Sequence, residues 1–311
     1  MNQIGKSKVL VKPLGLGTNK VGGHNLFSEL QDEIGREVVT AALEQVVQLL
    51  DTAFIYGKGR SEELIGEVLQ QFPREQVVIA DKAAHDLSSG EIVMNNHPDF
   101  LKRSVDEALL RLQTDYIDIF YIHFPDEDTN KAEAVGALAE MREAGKLKAI
   151  GVSNFSEAQI KEANQNGLVD VVEDHYSLLA RQAEQNFAYF KEQQISFIPY
   201  FPLESGLLTG KYTPDMTFGK DDPRSRKVNF QGVRYQAILE RLAEVAQLAE
   251  SHQVATLQVV LAWYMMNPAL AAVIPGARTP EQVAGLVAAN NVQLSPAEYQ
   301  QIDKLFQGLP A

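Results

Sequence analysis

The 311-residue chain contains no cysteine. Disulfides and thiolate metal sites are thereby excluded, and the absence suits a reducing compartment. No apolar run approaches the roughly 20 residues needed to span a bilayer. The opening stretch, MNQIGKSKVLVKPLG, lacks the apolar core of a secretory signal. These absences point to a cytoplasmic protein with no membrane partner. Positive charge is scarce too: 28 Lys and Arg stand against 41 Asp and Glu, a net charge of −13. Nucleic-acid binding depends on cations neutralising phosphates, so it is not expected. A small anionic ligand stays open, because one pocket can be basic on an acidic surface. A Rossmann fingerprint, G-x-G-x-x-G, is missing as well. The nearest stretch, GKGRSE, has Gly57 and Gly59 but Glu62 at the third position, where a carboxylate repels a pyrophosphate.

What is present is a repeat of strand-like and helix-like runs. The former are PLGLGT (13–18), QLLDTA (48–53), VVIADKA (77–83), YIDIFYI (116–122), AIGVSN (149–154), VDVVEDHY (169–176), ISFIPYF (195–201) and AAVIPGA (271–277). Their continuous apolar character suggests strands covered on both faces, as in a parallel sheet. Between them run amphipathic stripes such as Ile34, Val38 and Ala42, or Leu101, Val105, Leu109 and Leu112. Gly145, just after the stripe of Ala134, Leu138 and Met141, is a natural helix stop. Eight such units predict a (β/α)8 TIM barrel as one domain over 1–311. Residues 1–12 are expected to form an N-terminal β-hairpin closing the barrel floor. Residues 203–234 read as a long loop, of a length that is usually functional. LSPAEYQQIDKLF predicts an extra C-terminal helix, with Ser295 as N-cap, Pro296 at N1 and Glu298 at N3.

In such a barrel chemistry gathers at the C-terminal strand ends. Read in order, those ends carry Thr18, Asn19, Asp51, Lys82, His123, Ser153, Asn154, Glu173, Tyr200 and the turn Gly276-Ala277-Arg278. A tyrosine near pKa 10 is a weak acid unless a cation stabilises its phenolate. Lys82 can supply that cation for Tyr56, Asp51 can hold the lysine, and His123 can orient a carbonyl oxygen. Plainer roles stand beside these. Asp51 can cap a turn, Tyr56 can pack over the rim, and a lone His123 can be structural. Lys82 is harder to dismiss, since a lysine ending an apolar strand needs a partner or water.

Four stretches, LLDTAFIYGKGRSEELIGEVL, TDYIDIFYIHFPD, AGKLKAIGVSNFS and IPYFPLESGLLTGKY, together resemble the aldo-keto reductase superfamily. The likeness runs from about Leu14 to the last helix. GLGTNKVGGHNLF with YIHFPDE is most similar to the bacterial branch associated with inositol-utilisation operons. The resemblance implies a (β/α)8 barrel that reduces aldehydes and ketones with NADP(H), NAD(H) being the alternative, and without a metal. It implies Tyr56 as general acid, Lys82 as the neighbour lowering its pKa, Asp51 paired to Lys82, and His123 orienting the substrate carbonyl. On the cofactor side it implies Gly17, Thr18 and Asn19, then Ser153 and Asn154 on the nicotinamide carboxamide and Tyr200 stacked on the ring. Leu203, Gly206, Leu208 and Lys211 belong to a segment similar to the loop over the pyrophosphate. Gly276, Arg278 and Gln282 lie where relatives hold the adenosine 2′-phosphate, and a guanidinium suits that group. The helix opened by Thr279 and Pro280 offers an anion-binding N-terminus. Thr279 and Gln282 also have capping-box spacing, so Gln282 can serve the helix instead.

Three departures stand out. Glu173 replaces the glutamine that bonds the carboxamide in many relatives. A carboxylate accepts from the amide but cannot donate to its oxygen, and its charge favours the oxidised ring. Leu286 stands where relatives often have an adenine-contacting asparagine. Asp81 precedes Lys82 where threonine is usual, and strand alternation turns it away to a structural position. Lys20, His24, Phe54, His85 and Phe124 are candidate rim residues for substrate selection. The readings to set against a reductase are a Schiff-base lyase using Lys82 and a non-catalytic nucleotide-binding subunit.

Overall fold

In the computed structural model, which describes residues 1–310, seven of the eight apolar runs are parallel strands of one sheet. They follow an N-terminal antiparallel hairpin, β1 (Asn2–Gln3) with β2 (Leu10–Val11). The sheet is built from β3 (Leu16–Gly17), β4 (Leu49–Asp51), β5 (Val78–Ala83), β8 (Ile117–Ile122), β9 (Leu147–Ser153), β10 (Val171–His175) and β11 (Ser196–Tyr200), neighbours in that order. Between β5 and β8 a second hairpin intervenes, β6 (His85–Asp86) with β7 (Val93–Met94). Its two-residue strands are too short to leave a periodic trace in the sequence.

The eighth run closes the barrel without forming a regular strand. Parallel bridges join Leu14 to Val273 and Gly17 to Gly276 on one edge, and Phe197 to Leu270 on the other. The Gly15 N–H donates to the Val273 carbonyl at 2.9 Å and the Ala271 N–H to the Phe197 carbonyl at 2.9 Å. Pro275 lacks an N–H, which breaks any continuous ladder here. The result is a (β/α)8 TIM barrel.

Alternation along the strands sorts the core into two shells. Leu50, Ile79, Phe120, Ile150, Val172 and Phe197 pack outward against the helices. Leu49, Ala80, Ile119, Tyr121, Ala149, Val171 and Ile198 fill the barrel interior, and Ile4, Val9 and Val11 of the hairpin join them. The hairpin therefore plugs the barrel, as expected of residues 1–12. Gly151 also faces inward. A Cβ there would lie 2.2 Å from the Tyr121 ring, so glycine makes room for that aromatic.

Helices α1 (Asp32–Glu44), α2 (Arg60–Leu69), α3 (Pro98–Leu112), α4 (Lys131–Glu143), α5 (Glu157–Ala163) and α6 (Phe187–Gln193) alternate with the strands. α7 (Gly232–Ser251), α8 (Thr256–Met266) and α9 (Pro280–Val287) complete the outer layer. α10 (Pro296–Leu305) is the extra C-terminal helix, with the reciprocal Ser295–Glu298 capping box. The segment 203–234 holds three short 3-10 turns and the first turn of α7 rather than bare loop. Its Tyr212, Phe218 and Phe230 pack edge-on or stacked with one another and with Tyr235 of α7, which joins the segment to the outer core. Among the described residues no helix is long and apolar enough to cross a membrane.

Candidate active site

The same alternation assembles the site. Counting by two from interior residues, Leu49 leads to Asp51, Ala80 to Lys82, and Tyr121 to His123. Ala149 leads through Gly151 to Ser153, Val171 to Glu173, and Ile198 to Tyr200. All six side chains therefore enter the barrel mouth at its C-terminal end. The Lys82 ammonium is fully buried and contacts Asp51 Oδ1, donates to the Thr52 carbonyl at 3.0 Å, and lies 3.4 Å from Glu173 Oε1. It sits 5.9 Å from the Tyr56 ring centroid and 5.5 Å from that of Tyr121. Tyr56 reaches the mouth from a tight turn: its N–H donates to the Ala53 carbonyl, and Gly57 and Gly59 adopt φ of 73° and 100°. The His123 ring meets Tyr56 edge-on at 6.2 Å. Tyr56, Lys82, Asp51 and His123 are thus brought together.

Their electrostatics are set by burial. Loss of water around the Tyr56 hydroxyl pushes its pKa well up; Lys82 pulls it down, while Asp51 and Glu173 push it further up. Burial outweighs the pull of the ammonium, and the hydroxyl stays protonated. Burial alone would lower the Lys82 ammonium, but Asp51 first and Glu173 next hold it above its ordinary value. His123 is driven well below the usual histidine range by burial, then by Lys82 and His85, so it is neutral at physiological pH. Glu173 is raised well above the carboxylate range by burial and by the Asp51 charge, against the opposing pull of Lys82. Asp81 has the opposite strand parity. Its carboxyl points outward, accepts the Lys82 N–H at 2.8 Å, and meets Glu62, which Arg111 grips at 2.8 and 3.0 Å. It is structural, as alternation requires.

Around this centre lie the strand-end and loop residues expected on the cofactor side. Asn154 donates to the Ser153 hydroxyl and the His123 carbonyl, both at 3.0 Å, and accepts from the Tyr200 hydroxyl at 2.8 Å. That last bond fixes the Tyr200 ring, which stacks at 5.8 Å on His175. Thr18 is fully buried and donates to the Asp51 carbonyl at 2.8 Å, so it braces β3 against β4. A Cβ on Gly276 would lie 3.4 Å from both Asn19 Oδ1 and the Gly17 carbonyl, in ordinary contact with each, so these three residues meet closely. Lys211 Nζ lies close over Gly206, which has φ of 84°. The Leu208 side chain is fully buried and Leu203 packs on the same core, and the Leu208 N–H donates to the Leu203 carbonyl at 3.3 Å. Lys20 faces Lys211 and Arg278. Burial first, then repulsion from Arg278 and Lys211, pushes the Lys20 ammonium down to about 8. Three cations therefore lie near one another, with Arg278 paired to Glu29.

The segment expected to meet the adenosine differs in detail from expectation. Gln282 Oε1 accepts the Arg278 N–H at 2.8 Å, while Thr279 caps the Gln282 N–H at 3.3 Å. The capping is therefore shifted by one residue from a closed box. Arg278 Nη1 binds Glu29 Oε1 at 2.6 Å, and its guanidinium lies 5.3 Å from the Phe27 ring. Leu286 is buried in the outer core. Sequence reading missed Glu29, which is 249 positions from Arg278. It also missed Lys20 as part of the cationic set, although LGTNK places that lysine one residue beyond the strand-end Asn19.

The sequence profile of the Aldo/keto reductase family matches residues 13–307. The chain belongs to that family. It is 32% identical over 310 residues to the NADH-specific methylglyoxal reductase of Escherichia coli (strain K12), covering 95% of this chain and 94% of that one. Aldo-keto reductase YhdN of Bacillus subtilis (strain 168) is 31% identical over 297 residues, covering 94% of this chain and 89% of its own length. Among solved structures, the glycerol dehydrogenase AKR11B4 from Gluconobacter oxydans aligns with a TM-score of 0.89 at 28% identity, over 99% of this chain and 95% of that one. As an aldo-keto reductase the protein is an NAD(P)H-dependent oxidoreductase of small carbonyl or alcohol compounds.

Proposed function

We propose that this reductase transfers hydride between NADP(H) and a carbonyl or alcohol substrate, with Tyr56 moving the proton. The observation that carries the reading is the convergence of Tyr56, Lys82, Asp51 and His123 at one barrel mouth. When bound, the nicotinamide supplies or accepts the hydride at the carbonyl carbon. The chain's own groups do the rest. Tyr56, kept protonated by its dry surroundings, gives its proton to the oxygen as that oxygen gains charge. Lys82 then stabilises the phenolate left behind, and Asp51 keeps Lys82 charged and in place. Neutral His123 offers an N–H to the same oxygen and so orients the carbonyl. In the oxidative direction Tyr56 recovers the proton from the alcohol.

Ser153, Asn154 and Glu173 surround the place of the carboxamide, and Tyr200 provides a flat ring beside it. Lys20, Lys211 and Arg278 are available for the phosphates. Arg278 supports NADP(H) over NAD(H). Its pair with Glu29 is exposed and hence weak, so a 2′-phosphate can displace it at small cost. A Schiff-base role for Lys82 is disfavoured, since a buried ammonium clamped by Asp51 is a poor nucleophile.

The test is Tyr56→Phe assayed by NADPH oxidation with a panel of aldehydes. Turnover should fall by roughly 10²- to 10⁴-fold, while NADPH affinity stays within about twofold. Undiminished turnover in the variant would sink the mechanism.

A further inference from the structure

Inside the barrel mouth the charge count does not balance. Asp51 and Glu173 flank one ammonium, and all three groups are buried. Asp51 is the direct partner of Lys82, whereas Glu173 Oε1 stands off at 3.4 Å and Oε2 has no hydrogen-bond partner at all. The other titratable groups facing Glu173 are Tyr56, Tyr121 and Tyr200, from the β4–α2 turn, β8 and β11. None supplies a positive charge, and the Tyr121 hydroxyl is itself buried and unpartnered. A second ionised carboxylate there would have to share one buried ammonium with Asp51 and would have no counter-ion of its own, an arrangement proteins avoid by neutralising the group.

We propose that Glu173 carries a proton in the resting protein and meets the nicotinamide carboxamide as a carboxylic acid, making cofactor affinity pH-dependent. The inference rests on the hydride-transfer reading above. In the acid form one oxygen accepts from the carboxamide NH₂ while the other donates an O–H to the carboxamide oxygen. Both of the bonds a glutamine amide makes are thereby available. The trio of Asp51, Lys82 and Glu173 is then neutral overall. When Glu173 ionises, the donor is lost and the trio gains a net negative charge. The neutral reduced ring loses a hydrogen bond without compensation, while the cationic oxidised ring regains part of that loss by attraction. Glu173 is in this sense a positioning residue that reads proton concentration into the preference between NADPH and NADP⁺.

The test is fluorescence titration of NADPH and NADP⁺ against wild type and Glu173→Gln from pH 6 to pH 10. In wild type the NADPH dissociation constant should rise by roughly three- to tenfold across the ionisation of Glu173, and the NADP⁺ constant by less. In Glu173→Gln both should lose this component, because glutamine does not titrate. Ionisation of the cofactor phosphate is common to both proteins and cancels in the comparison. Superimposable pH profiles for the two proteins would overturn the proposal. Calorimetry of wild type in buffers of different ionisation enthalpy gives a check that needs no variant. At the alkaline end NADPH binding should take up protons, and zero uptake across the range would count equally against it. If neither nucleotide binds wild type at any pH, the hydride-transfer reading fails and this inference falls with it. Binding with an unchanged profile defeats this inference alone.

Discussion

Replacing Lys82 with methionine removes the cation that sits between Asp51 and Glu173 while preserving most of its apolar stem. Lys82 is among the largest fully buried side chains, so the new side chain meets no water. Deleting one partner of a buried pair costs about 3–5 kcal/mol, because the remaining charge is left uncompensated. That is a large share of a typical domain's stability of roughly 5–15 kcal/mol. The folded variant can escape part of the cost by taking up a proton on the stranded carboxylate, one that the unfolded chain releases near pH 4. Above that pH the folded variant then binds more protons than the unfolded chain, so its stability falls as pH rises. Urea denaturation followed by circular dichroism at pH 5 and pH 8 measures both effects. The loss relative to wild type should be larger at pH 8. Adding Asp51→Asn should restore about 2 kcal/mol of it, since the stranded charge goes too. A Lys82→Met protein unfolding at the wild-type midpoint, or losing the same amount at both pH values, would refute the argument.

Two further outcomes are expected. Arg278→Ala should weaken NADP⁺ binding by about 1.5–3 kcal/mol, the range for a hydrogen bond to a charged group, and leave NAD⁺ binding nearly unchanged. Equal affinities in wild type would remove the 2′-phosphate role. Gly151→Ala forces a methyl group to within 2.2 Å of the Tyr121 ring. Overpacking of this kind costs about 1–3 kcal/mol, and calorimetry should show a lowered Tm, with an unchanged Tm counting against the packing described.

Much of the barrel was legible because both shells of the core leave their mark on the strands. Runs such as YIDIFYI are apolar at nearly every position, which only a strand covered on both faces tolerates. The candidate site was legible for the same reason, since the interior parity that ends in Leu49, Ala80 and Tyr121 continues into Asp51, Lys82 and His123. What stayed hidden depended on distance or on balance. The pairing of Glu29 with Arg278 joins two loops far apart in the chain and has no local signature. The high pKa of Tyr56 follows from burial first, with the carboxyls around Lys82 working against the pull of its ammonium. That depends on Glu173 and Asp51 sharing the space around Lys82, and residue types alone do not reveal it. The eighth strand failed to become a ladder because Pro275 interrupts a run whose apolar character promised one.

That interrupted eighth run has a mechanical meaning. Elsewhere the sheet is stitched by consecutive pairs, but residues 270–276 are joined to their neighbours by isolated bridges. The barrel therefore has a seam, and the seam ends at Gly276 beside Asn19 and Gly17, two residues before Arg278. A dinucleotide held by Asn19 and Arg278, as proposed above, would touch the chain on both sides of that opening. It would act as a clasp as well as a reagent, and the empty barrel would be the looser object, most of all where its first and last strands meet.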